Sequence, residues 1–279
     1  MRVAVGDVEL NVHEKGEGRP LIALHGGPGL DGSVWFPALD PLAEDGWRIL
    51  APDHRGNGLS EAGDSSRWTV PQMADDVEAL SHALDLVEPV VMGWSFGSFV
   101  AQSHMARHGS ARAYVLMGTV ASPDALLAVH ERLAAFEPEH LREQVTASWE
   151  REPNVQTPED SKQLMDDQFP FHVADPESPL VRELIENDRV VYRPEVLRHF
   201  STGGVYGMVD LRSTLRSFTR PVLVLSGAQD RTTPAASAQE LADAIPTAEH
   251  VVVDDAAHMI PYEQPEAFLA ALRGFLARV

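Results

Sequence analysis

Cysteine is absent from all 279 residues, which excludes disulfide staples and thiolate metal sites. No apolar run approaches the ~20 residues that span a bilayer as a helix, and none of the chain is repetitive or of low complexity. The opening MRVAVGDVEL has neither the basic start nor the apolar stretch of a signal peptide. A cytoplasmic protein without membrane attachment is the expectation. Positive charge is scarce, with 22 Lys and Arg against 42 Asp and Glu, a formal charge of −20. Such a surface repels phosphate backbones, so a nucleic-acid partner is not expected. The His, Asp and Glu residues show no metal-ligand spacing, and HERLAAF (residues 130–136) lacks the second histidine of a zincin. We expect no metal, no cofactor, and a small molecule or short peptide as partner. Nothing in the sequence speaks to oligomeric state.

What is present is a foldable chain, 44% apolar, long enough to bury a full core. RVAV and VELNVHE read as a hairpin around Gly6-Asp7. PLIAL, WRILAPD, PVVMG and AYVLMG are apolar runs ended by turn residues, as strands buried on both faces would be. Met73, Val77, Leu80 and Leu84 form one stripe of a helix that Thr69 can cap, and FVAQSHMARHG reads as a helix stopped by Gly109. Strand signals vanish from 122 to about 205, which read as helices broken by Pro138, Pro153, Pro158, Pro170, Pro176 and Pro179. They return at PVLVLSG and EHVVVDD, and a last helix follows Pro265. Alternating strands and helices predict an α/β fold with a mostly parallel sheet covered on both faces. Residues 1–121 and 206–279 would form its core. Residues 122–205 would be a helical lid inserted above the strands' C-terminal edge, where ligands of such sheets bind.

GWSFGS, residues 93–98, places Ser95 in a G-x-S-x-G pattern after a strand and before a helix. Small flanking residues let the backbone turn sharply and push the serine out. A serine hydroxyl attacks only after a base takes its proton. SGAQDRTTP places Asp230 just past one late strand, and VVVDDAAHMIP places His258 just past the next. The order Ser, Asp, His then supplies nucleophile, orienting acid and base. Asp124, after AYVLMG, is the rival acid. HGGPG, residues 25–29, offers the Gly27 N–H as an oxyanion donor, with the Phe96 N–H as the second. His25 is expected to brace that loop. Asp53 and Arg55, in DHRGNGLS, are expected to serve a structural network.

HGGPG, DHRGNGLS, GWSFGS, GAQD and AAHM, in that order, make the chain resemble the α/β-hydrolase superfamily over nearly its whole length. Serine at position 95 sets it apart from the dehalogenase and epoxide hydrolase branches, which carry aspartate there. HGGPG resembles the proline iminopeptidases, which release an N-terminal residue. Within the helical stretch, TASWERE and ELIENDRVVY are similar to cap segments of those enzymes. The resemblance implies that Glu150 and Glu186 hold a substrate's free α-ammonium group, though a glutamate so placed is by itself more often part of a solvated helix face. Ser98 stands where many members carry glycine. The expected function is a serine hydrolase of proline iminopeptidase type, acting as an aminopeptidase or amidase. A carboxylesterase or lactonase for small uncharged acyl esters is the alternative, and a non-catalytic binding protein a remote one.

Overall fold

The apolar runs become strands because their residues are sealed on both faces: every residue of VVMGW and AYVLM is buried. The computed structural model describes residues 1–279. It contains β1 (Arg2–Val5), β2 (Val8–Lys15), β3 (Arg19–Leu24), β4 (Trp47–Pro52), β5 (Val90–Trp94), β6 (Ala113–Met117), β7 (Val222–Gly227) and β8 (Ala248–Val253). They form one sheet in the order β1-β2-β4-β3-β5-β6-β7-β8. β1–β2 and β2–β4 pair antiparallel, and every other pair is parallel. The fold is α/β with a mostly parallel sheet.

The pleat sorts each strand between two cores. Val91, Tyr114, Leu116, Val222 and Val224 join a cluster of 36 buried residues. Their neighbours Val90, Met92, Ala113, Val115, Leu223 and Leu225 join one of 26. Helix α1 (Val70–Ala83) covers the first face; Thr69 caps it by accepting the Gln72 N–H at 3.2 Å. Helix α2 (Phe96–Arg107) packs beside it and ends where Gly109 takes φ +58° and its N–H returns to the His104 carbonyl.

Between β6 and β7 the chain makes no strand. It forms short helices at Pro123–Leu127 and Val129–Ala134, then α3 (Glu139–Arg151), α4 (Pro158–His172), α5 (Pro179–Asn187) and α6 (Pro194–Ser201). Thr157 and Asp160 close a reciprocal capping box at the start of α4. Pro170 does not break that helix as expected but lies inside its last turn, where it forfeits a single backbone hydrogen bond. α7 (Ala235–Ala244) and α8 (Pro265–Leu276) complete the fold, and no helix is long and apolar enough to cross a membrane.

Candidate active site

The turn from β5 into α2 is as tight as the sequence implied. Ser95 sits at φ 54°, ψ −119°, a conformation costing about 1–3 kcal/mol for a residue with a Cβ. Its neighbours explain how the turn is tolerated. A Cβ on Gly93 would lie 2.3 Å from the Gly97 carbonyl oxygen, and one on Gly97 would lie 2.3 Å from that of Leu24. Two backbones therefore pass too closely for any side chain. Ser95 N–H is held by the Met117 carbonyl at 2.9 Å. Ser98 Oγ donates to the Ser95 carbonyl at 2.6 Å, so the hydroxyl at this departure from glycine braces the turn.

At the ends of β7 and β8, His258 Nδ1 donates to Asp230 Oδ2 at 2.8 Å. Asp230 Oδ1 accepts the N–H groups of Thr232 and Thr233, each at 2.8 Å, and its Oδ2 also accepts Thr233 Oγ1 at 2.6 Å. Burial raises the Asp230 pKa, but the adjoining imidazole and these donors outweigh it and hold the carboxyl below its ordinary value. Ionised Asp230 thus keeps the His258 proton on Nδ1 and leaves Nε2 free to accept. Asp124, by contrast, is exposed and makes no bond to His258.

Ser95 and His258 line one cavity of about 410 Å³, together with Gly27 and Phe96. No hydrogen bond joins Ser95 Oγ to His258 in this resting geometry, and neither the Gly27 nor the Phe96 N–H has an acceptor in the protein. Phe96 opens α2, so its N–H points out of the helix unsatisfied. The helical stretch supplies the opposite wall, including Leu126, Trp149, Phe169 and Tyr192, and 18 of the 33 lining residues are hydrophobic.

Glu150 and Glu186 are not in that wall; both are exposed. Helical geometry is the reason. On α3 the inward residues are Val145 and Ser148, and the position one turn beyond Ser148 is Glu152. On α5, Val181, Leu184 and Ile185 pack inward, which turns Glu186 outward and brings Asp188 round. Glu152 and Asp188 therefore line the cavity. Glu152 is buried, accepting Tyr206 OH at 2.5 Å and Gln168 Nε2 at 2.9 Å. Burial raises its pKa, and no cation offsets it. Glu152 and His172 escaped the sequence reading, although the 3.6-residue period of α3 was a usable signal for the first.

The bracing residues behave as expected. His25 Nε2 accepts the His54 N–H at 3.0 Å, so Nδ1 carries the proton that meets the Gly26 carbonyl at 2.7 Å. Arg55 grips Asp76 through two bonds of 2.6 Å. Asp53 accepts Asn11, His13 and the N–H groups of Gly32 and Leu59 at 2.8–3.0 Å. His13, Asp31 and Asp53 bring ligand atoms within 4.8 Å of one another. Asp53 there already accepts four hydrogen bonds, and Asp31 accepts the N–H groups of Ser33 and Val191.

The alpha/beta hydrolase fold family matches residues 19–265. The chain belongs to that family. An AB hydrolase superfamily protein, YisY, of Bacillus subtilis is 27% identical, over 96% of this chain and 95% of that one. The proline iminopeptidase of Clostridium botulinum is 25% identical, over 94% and 90%. A thermophilic esterase from Thermogutta terrifontis superposes with a TM-score of 0.76 at 25% identity, over 100% of this hydrolase and 98% of that chain.

Proposed function

We propose that this α/β hydrolase cleaves a compact, largely apolar carboxylic ester or amide through an acyl-enzyme on Ser95. The observation that carries the proposal is convergence. Ser95, the free Nε2 side of an Asp230-oriented His258, and two unpaired N–H groups open on one apolar cavity. In this reading Ser95 Oγ passes its proton to His258 Nε2 as it attacks the substrate carbonyl. Gly27 and Phe96 N–H receive the developing oxyanion. Collapse of the tetrahedral intermediate breaks the bond to the leaving group, which takes the proton from His258. Water then repeats the sequence: His258 deprotonates it, it attacks the acyl carbon, and Ser95 recovers its proton. Residues 122–205 act as the lid over this chemistry.

An ester is the first choice of substrate, because the cavity wall is mainly apolar and Glu150 and Glu186 face solvent. One observation favours a second reading, release of an N-terminal residue. Glu152 is a buried carboxylate in the wall without a cation beside it, and a substrate ammonium would complete it. A fluorophosphonate should label Ser95, and a panel of short acyl esters with Pro-, Ala- and Phe-arylamides separates the two readings. If Glu152 clamps an ammonium, Glu152→Gln lowers kcat/KM on the free-amine arylamides by about 10²-fold and spares neutral esters, since unpairing a buried charge costs about 3–5 kcal/mol. Glu150→Gln and Glu186→Gln should change neither by more than about twofold. Labelling at another residue refutes the nucleophile. Arylamide turnover that is indifferent to Glu152→Gln removes the second reading.

A further inference from the structure

The stretch His172–Ala174, where α4 ends, is clamped between the loop that carries Asp230 and the loop that carries His258. On the His258 side, the His172 carbonyl accepts the His258 N–H at 2.9 Å. The two imidazoles pack with centroids 5.4 Å apart and planes inclined by 37°. Ala174 N–H donates to Glu263 Oε1 at 2.6 Å. The other oxygen of that carboxylate accepts the N–H groups of Ala257 at 2.8 Å and Met259 at 3.2 Å. These are the two chain neighbours of His258, so one side chain holds the backbone on both sides of it.

On the Asp230 side, His172 Nδ1 hydrogen-bonds Thr232 Oγ1 at 2.8 Å. Thr232 N–H is in turn one of the donors to Asp230 Oδ1. Arg231, between them, donates to the carbonyls of Val173 at 2.7 Å and Ala174 at 3.2 Å. The sheet governs the spacing of the two loops only as far as Gly227 and Val253, the last paired residues of β7 and β8. Beyond them Gln229 N–H still reaches the Ala256 carbonyl, but the residues that carry the acid and the base lie further out. A misplacement of about 1 Å in such a pair can cost on the order of 10²-fold in rate.

We propose that His172–Ala174 is a strap that sets the register of His258 against Asp230, with Glu263 and His172 as positioning residues acting through it. The proposal rests on the reading of Ser95, Asp230 and His258 as the reacting set. It ties the helical segment to the chemistry by hydrogen bonds as well as by the cavity wall. Burial holds the His172 imidazole down at about 3, so it stays uncharged at neutral pH and sets no full positive charge against the imidazolium that His258 becomes during turnover.

Three variants test it in the full chain. His172→Phe keeps the ring packing and deletes the bond to Thr232. His172→Asn returns a polar atom near the place of Nδ1. Glu263→Gln keeps the shape but leaves one acceptor oxygen for N–H groups on two sides. On an activated acyl ester, His172→Phe and Glu263→Gln should lower kcat about 10- to 100-fold with KM within about threefold. His172→Asn should recover about fivefold or more of the loss. The low-field proton resonance of His258 Nδ1, recorded well below Tm, should broaden or shift in the first two variants and return in the third. Unchanged kcat in the folded variants overturns the proposal. So does a loss that tracks Tm while that resonance stays put. Arg231→Met, which cuts the clamp from the partly exposed side, replaces any variant that does not fold. Fluorophosphonate labelling of the wild type separates the two failures. If Ser95 is labelled and the variants turn over normally, the strap alone is wrong; if Ser95 is not labelled, the reading beneath it is wrong.

Discussion

Asp230→Asn is the sharpest perturbation of the candidate site, because the hydrogen bonds dictate how the new amide must sit. Oδ1 accepts two backbone N–H groups, from Thr232 and Thr233, and an asparagine must keep its carbonyl oxygen there. Its NH2 then replaces Oδ2 and faces His258 Nδ1, 2.8 Å away in the wild type. A donor at that place accepts no proton, so the imidazole turns to the tautomer with hydrogen on Nε2, the nitrogen that the proposed mechanism needs to take the Ser95 proton. Replacing the triad aspartate by asparagine in a serine protease lowers kcat by about 10⁴-fold, and a similar loss is expected here. Stability should fall by only about 1–3 kcal/mol, since the two backbone bonds survive and only the two pairings of Oδ2, with His258 and with Thr233 Oγ1, are spoiled. The assay is kcat on an activated ester beside the rate of fluorophosphonate labelling, with urea unfolding as the control. Asp124→Asn, on an exposed side chain, should stay within about twofold of wild type. An Asp230→Asn protein that folds and keeps kcat within about tenfold refutes the reasoning, most sharply if Asp124→Asn is the variant that fails.

Asp53 should make stability pH-dependent. Burial raises its pKa, but the bond from His13 and the N–H groups of Gly32 and Leu59 outweigh that and hold it at about 2. A carboxyl lowered from about 3.9 to that value contributes roughly 2–3 kcal/mol above about pH 5 and loses it as pH falls toward 2. Urea unfolding across that range should show Asp53→Asn less stable than wild type by at least this amount at pH 7, with the gap closing in acid; a gap independent of pH contradicts the assignment. Gly97→Ala drives a methyl to 2.3 Å from the Leu24 carbonyl oxygen and should cost about 2–3 kcal/mol, roughly 3–5 °C in Tm, along with the Ser95 geometry. Gly274→Ala, inside α8 with only an Arg278 tip at 3.9 Å, should be neutral or stabilising by up to about 1 kcal/mol; equal thermal shifts in the two variants would show that close approach is not what demands glycine at 97.

The sheet, the turn at Ser95 and the loops of Asp230 and His258 were legible because each is a property of neighbours along the chain. An apolar run buried on both faces ends in a turn residue, and the candidate side chain follows within a few positions. The three residues lie 135 and 28 positions apart, yet parallel pairing of β5, β6, β7 and β8 delivers every strand's C-terminal end to the same edge. The wall opposite them was not legible in that way. Trp149 and Glu150 are adjacent in the chain, but on α3 they diverge by about 100°, so one lines the cavity while the other faces water. Which face turns inward depends on what α3 packs against, here Phe171 beside Val145 and Trp149. Glu152, His172 and Glu263 acquire their partners only when α4, the Asp230 loop and the His258 loop meet. Those contacts join segments 16 to 89 residues apart, and beyond the α3 period that turns Glu152 inward no local pattern encodes them. Strand order and turns follow from short-range sterics and burial period; the shape and charge of the cavity follow from long-range packing, which only the folded chain decides.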